Sequence, residues 1–112
     1  MTGSDIHRAV DAVWRIESPR LIAGLARIVR DVGLAEDLAQ DALEAALTRW
    51  PEAGVPENPG AWLMAVGRRR AVDLLRRRAL LERKHRELGR ELEVQQDLAD
   101  ANPAVIRNRP DH

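Results

Sequence analysis

Six arginines within residues 59–78 define the chemistry open to this sequence. The stretch reads PGAWLMAVGRRRAVDLLRRR. Arg68, Arg69, Arg70, Arg76, Arg77 and Arg78 fall on about five helical turns, with only Asp73 to offset them. A guanidinium stays charged and forks onto phosphate oxygens, so this density suits a polyanion, and nucleic acid is the obvious one. On a helical wheel Trp62, Val66, Arg69, Asp73 and Arg76 share one arc. An aromatic ring among exposed arginines can stack on bases while the cations hold phosphates. The blander alternative places Trp62 in the core and pairs Arg69, Asp73 and Arg77 at i,i+4, each pair worth about 0.3–0.5 kcal/mol.

A second set of groups carries the opposite sign. In residues 35–50, Asp37, Gln40, Asp41, Glu44 and Thr48 fall within about 100° of one helical face, and Leu38, Ala39, Ala42, Leu43, Ala46, Leu47 and Trp50 occupy the other. An ordinary solvated face mixes both signs in i,i+4 pairs, whereas this one lacks the Lys or Arg partners and fits a basic protein. Glu36 and Asp37 also favour the helix dipole in the first turn, which accounts for part of the bias. The formal net charge is zero, yet residues 31–57 hold seven acids against one base and residues 68–90 hold ten bases against three acids. Segregated charge implies two different partners or one internal pairing.

The elements that must position these groups are helical. A chain of 112 residues makes one domain with a single modest core. With no Cys, Phe or Tyr, that core is built from Leu, Ala, Val, Ile and three Trp, which favours helices over sheets. The expectation is an all-α fold, a compact bundle of three to four main helices with a C-terminal helical extension. Residues 1–81 would be the bundle, 82–101 the extension or linker, and 102–112 a disordered tail rich in proline. Ser4 caps a first helix to about Ile16. Ser18 followed by Pro19 starts a second, which Gly33 ends. The third spans residues 35–50, and residues 51–57, PEAGVPE, form a loop. Asn58 caps the arginine-bearing helix, Pro59 takes its first position, and Gly67 in mid-helix marks close approach of another helix. In the extension, Leu81, His85, Leu88, Leu92, Gln95 and Ala99 recur at four- and three-residue steps as a narrow seam that either continues the central helix or folds back.

Several functions are disfavoured. Without cysteine there is no disulfide frame, thiolate zinc site or cysteine nucleophile. His7, His85 and His112 are scattered, and His7 reads as a surface histidine. No Gly-rich phosphate loop occurs, so no enzyme, metal or cofactor is expected. The sequence offers no apolar run of about 20 residues and no apolar leader, which leads to a cytoplasmic protein without membrane contact.

Two stretches, AEDLAQDALEAALTRWP at residues 35–51 and NPGAWLMAVGRRRAVDLLRRR at residues 58–78, resemble region 2 of bacterial sigma factors, specifically the extracytoplasmic-function group. The segment LLERKHREL at residues 80–88 is similar to one branch of that group. The resemblance implies a transcription initiation factor domain that binds core RNA polymerase and recognises and melts the minus-ten promoter element. In the family the acidic helix docks on the clamp coiled coil of the largest polymerase subunit. That role passes to Asp37, Gln40, Asp41 and Glu44, with Thr48 on the same face. A flipped base of the non-template strand is held in the loop matching residues 52–58, which includes Asn58. Contacts to promoter DNA pass to Trp62, Arg68, Arg69, Arg70, Arg76 and Arg77. An anti-sigma factor is a further partner that the family allows.

Three departures stand out. Where many members read Ala-Arg-Asn, this chain reads Gly67-Arg68-Arg69, exchanging a hydrogen-bonding side chain for charge. Trp62 is the one aromatic left for melting, which fits a narrower set of strong promoters. Nothing after Ala101 encodes the expected helix-turn-helix for the minus-thirty-five element, so the chain reads as an excised domain or a truncated product. The rival reading is a helical interaction module whose complementary charged faces pair internally or with a second copy, without DNA binding. A duplex-binding repressor fits poorly, because residues 51–57 are long for the turn of a helix-turn-helix.

Overall fold

The computed structural model describes residues 2–101. Among them are three helices, α1 (Gly3–Val29), α2 (Val32–Ala53) and α3 (Pro59–Ala101), and no strand. The expected tail at residues 102–112 lies outside the described residues. The all-α expectation stands, but the compact bundle of three to four helices needs correction. Buried side chains are confined to residues 6–71, and residues 76–100 contribute none. The chain divides into a unit spanning Met1–Leu75 and a second spanning Arg76–His112.

The first two expected helices are one. Ile6, Val10, Leu21, Leu25 and Val29 are all buried, so a single apolar stripe keeps its register across Pro19. A mid-helix proline costs about 3 kcal/mol through its missing N–H and ring clash. Burying both halves of the stripe in one core outweighs that cost, so Ser18 and Pro19 do not restart the chain. Nor does Ser4 cap it. Thr2 accepts from the Asp5 N–H at 3.3 Å while Asp5 accepts the Thr2 N–H at 3.2 Å, a reciprocal capping box. The stop also lies elsewhere than Gly33. Arg30 takes the left-handed conformation, φ 60°, and its N–H donates to the Ala26 carbonyl at 2.8 Å. Asp31 then caps α2 by accepting the Leu34 N–H at 2.9 Å, which places Gly33 inside the next helix.

α2 buries Ala35, Leu38, Ala39, Ala42, Ala46 and Trp50, close to the expected stripe, and leaves Leu47 partly exposed. It continues through Pro51 to Ala53, so the expected loop shortens to residues 54–58. Burial of Trp50 holds the last turn in place, and Gly54, at φ 87°, provides the exit, donating its N–H to the Trp50 carbonyl at 2.8 Å.

α3 starts where its sequence requires. Asn58 Oδ1 accepts the Ala61 N–H at 3.1 Å, and Pro59 occupies the first helical position. Leu63, Gly67 and Ala71 are its buried positions. A Cβ on Gly67 would sit 3.0 and 3.1 Å from the two methyls of Leu25, which is itself fully buried, so glycine lets α1 and α3 approach. Gly67→Leu is expected to destabilise the protein by about 1–3 kcal/mol through overpacking, read as a lower denaturation midpoint in a urea titration. Gly67→Ala should cost far less, because part of the strain is offset by better helix propensity.

The second unit is described as far as residue 101 and is helical throughout. Leu80, Leu81, Leu88, Leu92, Val94 and Leu98 are all exposed there. No described helix is long and apolar enough to cross a membrane.

Candidate functional site

α2 and the first turns of α3 meet through an edge-to-face pair, Trp50 and Trp62, with ring centroids 5.3 Å apart and planes at 66°. Trp50 is fully buried, and Trp62 packs partly buried against the core. This corrects the picture of Trp62 as an open aromatic among arginines. Part of its ring is committed to Trp50, and only the remainder is presented to solvent.

Further along the same two helices, Ala45, Arg49, Val66, Arg69, Arg70 and Asp73 line a cleft of about 300 Å³. A shallower depression beside it is bounded by Glu44, Ala45, Thr48, Arg49 and Arg70. Three arginines therefore share one cleft with two apolar side chains, Ala45 and Val66, and a single carboxylate, Asp73. Sequence reading missed Arg49, which it counted only as the single base of an acidic stretch. A lone cation on an acidic helix, one turn beyond Ala45, was the available clue.

Asp37, Gln40, Glu44 and Thr48 are exposed on α2, and Asp41 is partly so. The Thr48 hydroxyl donates to the Glu44 carbonyl at 3.0 Å, which ties it to its own helix. Asp41 reaches Arg70 at 3.8 Å, each side chain retaining over 40% of its exposure, 42% and 49% respectively. The acidic and basic sets thus touch at one surface pair and are not buried against each other. Such an exposed contact is worth about 0–1 kcal/mol. Among the described residues neither the Arg69–Asp73 nor the Asp73–Arg77 pair forms within 4.0 Å, so the i,i+4 reading of these arginines is not realised.

The nucleic-acid candidates divide. Asn58, Trp62, Arg68, Arg69 and Arg70 belong to the first unit, and Arg76 and Arg77 to the second, where both are exposed. Asn58 spends its side-chain oxygen on capping α3. At the same end of the helix the Glu17 carboxylate lies against Gly60, where it complements the helix dipole. His7 is exposed, and its Nδ1 lies 2.9 Å from the Gly3 carbonyl oxygen, which accepts its proton. Among the described residues no group of three or more His, Asp or Glu side chains is arranged to hold a metal ion.

Residues 14–80, more than half of the chain, match the family model for sigma-70 region 2. The chain belongs to the sigma-70 region 2 family. The matched span takes in most of α1, all of α2 and the arginine-bearing start of α3, so the cleft lies wholly within the region 2 match. An uncharacterized protein of Rhizobium meliloti (strain 1021) is 41% identical over 61 residues, which is 54% of this chain and 14% of that protein. The chain thus spans about one seventh of the length of the curated relative it matches. No solved structure matches. As a sigma-70 region 2 domain, the chain carries a module involved in transcription initiation.

Proposed function

We propose that the chain is the region 2 domain of an extracytoplasmic-function sigma factor, which binds core RNA polymerase through α2 and engages the melted non-template strand of the minus-ten element through α3. It is a binding module and not an enzyme, and it works in the cytoplasm. The observation that carries this reading is the pairing of an exposed carboxylate face on α2 with the adjoining cleft in which Arg49, Arg69 and Arg70 converge. Asp37, Gln40, Asp41 and Glu44, with Thr48 beside them, meet basic side chains of the polymerase clamp coiled coil. Arg68, Arg69, Arg70, Arg76 and Arg77 neutralise phosphates, and Arg49 joins them at the cleft. A base leaving the stack is taken by residues 52–58, with the free part of Trp62 available for stacking. Unstacking costs a few kcal/mol, about what pocket contacts and one stacked base return. Family membership supports both partners, polymerase and promoter DNA.

The rival interaction module would need the two charged faces to saturate each other. Asp41 and Arg70 meet only at the surface, and Asp37, Glu44, Arg68 and Arg69 remain exposed, which favours the initiation reading.

The deciding experiment is a pull-down with core polymerase, followed by titration of single-stranded minus-ten oligonucleotides over a salt series. Capture of polymerase and a strong salt dependence are expected; loss of both would end the proposal. Arg76→Ala with Arg77→Ala should flatten the logarithmic salt slope by about 1.4, since each single-strand phosphate contact adds about 0.7. An unchanged slope would remove these two residues from the DNA surface.

A further inference from the structure

The seam on residues 81–99 belongs to no site described so far, and its charge distribution indicates what covers it. Leu81, Leu88 and Leu92 are each more than half exposed, at 54%, 53% and 56%. Leu81, His85, Leu88, Leu92, Gln95 and Ala99 alternate four- and three-residue steps, the spacing of a two-stranded coiled-coil seam. The helix is also strongly polarised along its length. Residues 81–90 carry four bases and two acids, whereas residues 91–100 carry four acids and no base.

We infer that this helix pairs antiparallel with the same helix of a second copy of the chain. In a parallel pair the basic halves would lie side by side, as would the acidic halves, and like charges in register are repulsive. The antiparallel arrangement lays each basic half along an acidic half. The seam has its own centre at position 90, and an antiparallel pair about that centre closes every layer. Leu88 of one copy meets Leu92 of the other, His85 meets Gln95, and Leu81 meets Ala99. The two polar seam positions, which would face leucine if the antiparallel pair were shifted by a heptad, face each other in this register. The inference is independent of polymerase or DNA binding, because its residues lie outside both sets.

Sedimentation equilibrium of the full chain over a concentration series tests it. The mass is expected to rise from that of one chain, 12.6 kDa, towards twice that value. Leu88→Asp with Leu92→Asp should hold the mass at one chain throughout, and at concentrations where the wild type is also single the two should share helix content and thermal midpoint, because both side chains are exposed in the single chain. Two charge-reversed chains test the orientation, one carrying Arg83→Glu, Lys84→Glu and Arg86→Glu, the other Glu91→Lys, Glu93→Lys and Asp97→Lys. Each should remain single alone, and an equimolar mixture should form a heterodimer. A wild-type chain that stays single at every concentration overturns the inference. So do reversed chains that self-associate as well as wild type, or a mixture that fails to pair.

Discussion

Trp50→Ala is expected to lower the stability of the first unit by about 3–5 kcal/mol, the range for removing a large buried aromatic side chain. Trp50 is 1% exposed, touches the ring of Trp62 and closes the last turn of α2 through its carbonyl. For a chain this small, whose total stability is of order 5–15 kcal/mol, that loss leaves a marginal fold or none. Trp50→Phe is the informative companion. The buried indole Nε1 has no hydrogen-bond partner among the described residues. Its desolvation costs about 1–3 kcal/mol, a burden that phenylalanine removes while keeping most of the contact with Trp62. Urea denaturation followed by circular dichroism should therefore place Phe much nearer wild type than Ala. Equal losses would mean that the area of the second ring, and not the unpaired donor, dominates the site.

The other large effect concerns polymerase. Asp37→Arg combined with Asp41→Arg reverses the charge at an exposed and a partly exposed position one helical turn apart, on the face opposite the buried stripe of α2. Truncating one member of a hydrogen-bonded interfacial charge pair costs about 2–5 kcal/mol, so reversal should reduce affinity for core polymerase by at least about 30-fold. The fold should survive, because neither position carries core packing. Asp41 has a second consequence, since it holds Arg70 at 3.8 Å. Asp41→Asn releases that guanidinium at a cost to stability no larger than about 1 kcal/mol. Competition binding against core polymerase, with melting curves alongside, separates these effects. Unchanged affinity in the double variant would remove α2 from the docking surface.

Much of the fold could be read locally. The apolar stripe of α2 and the start of α3 at Asn58 and Pro59 depend on side chains within one or two turns, and the structure has them where the pattern puts them; Gly67 marked a close approach, but its partner, Leu25 of α1, is a tertiary contact. Local signals failed where a longer pattern competed with them. Ser18-Pro19 and Gly33 carry good boundary chemistry, but the stripe from Ile6 to Val29 is continuous, and packing energy summed over 27 residues overrides a proline. Pro51 lost to the burial of Trp50 in the same way.

The candidate site divides along the same line. The sequence by itself determined which residues are charged, their segregation into an acidic and a basic stretch, and the membership in sigma-70 region 2 that its motifs carry. Those properties reside in residue type and spacing along one chain. Only the tertiary structure decided that Arg49 crosses from the acidic helix to join Arg69 and Arg70, that Asp41 reaches Arg70, and that Trp62 leans on Trp50. Each brings together side chains more than ten residues apart in the sequence. Periodicity within a helix shows which face is wet, whereas the partner across the groove depends on how two helices pack.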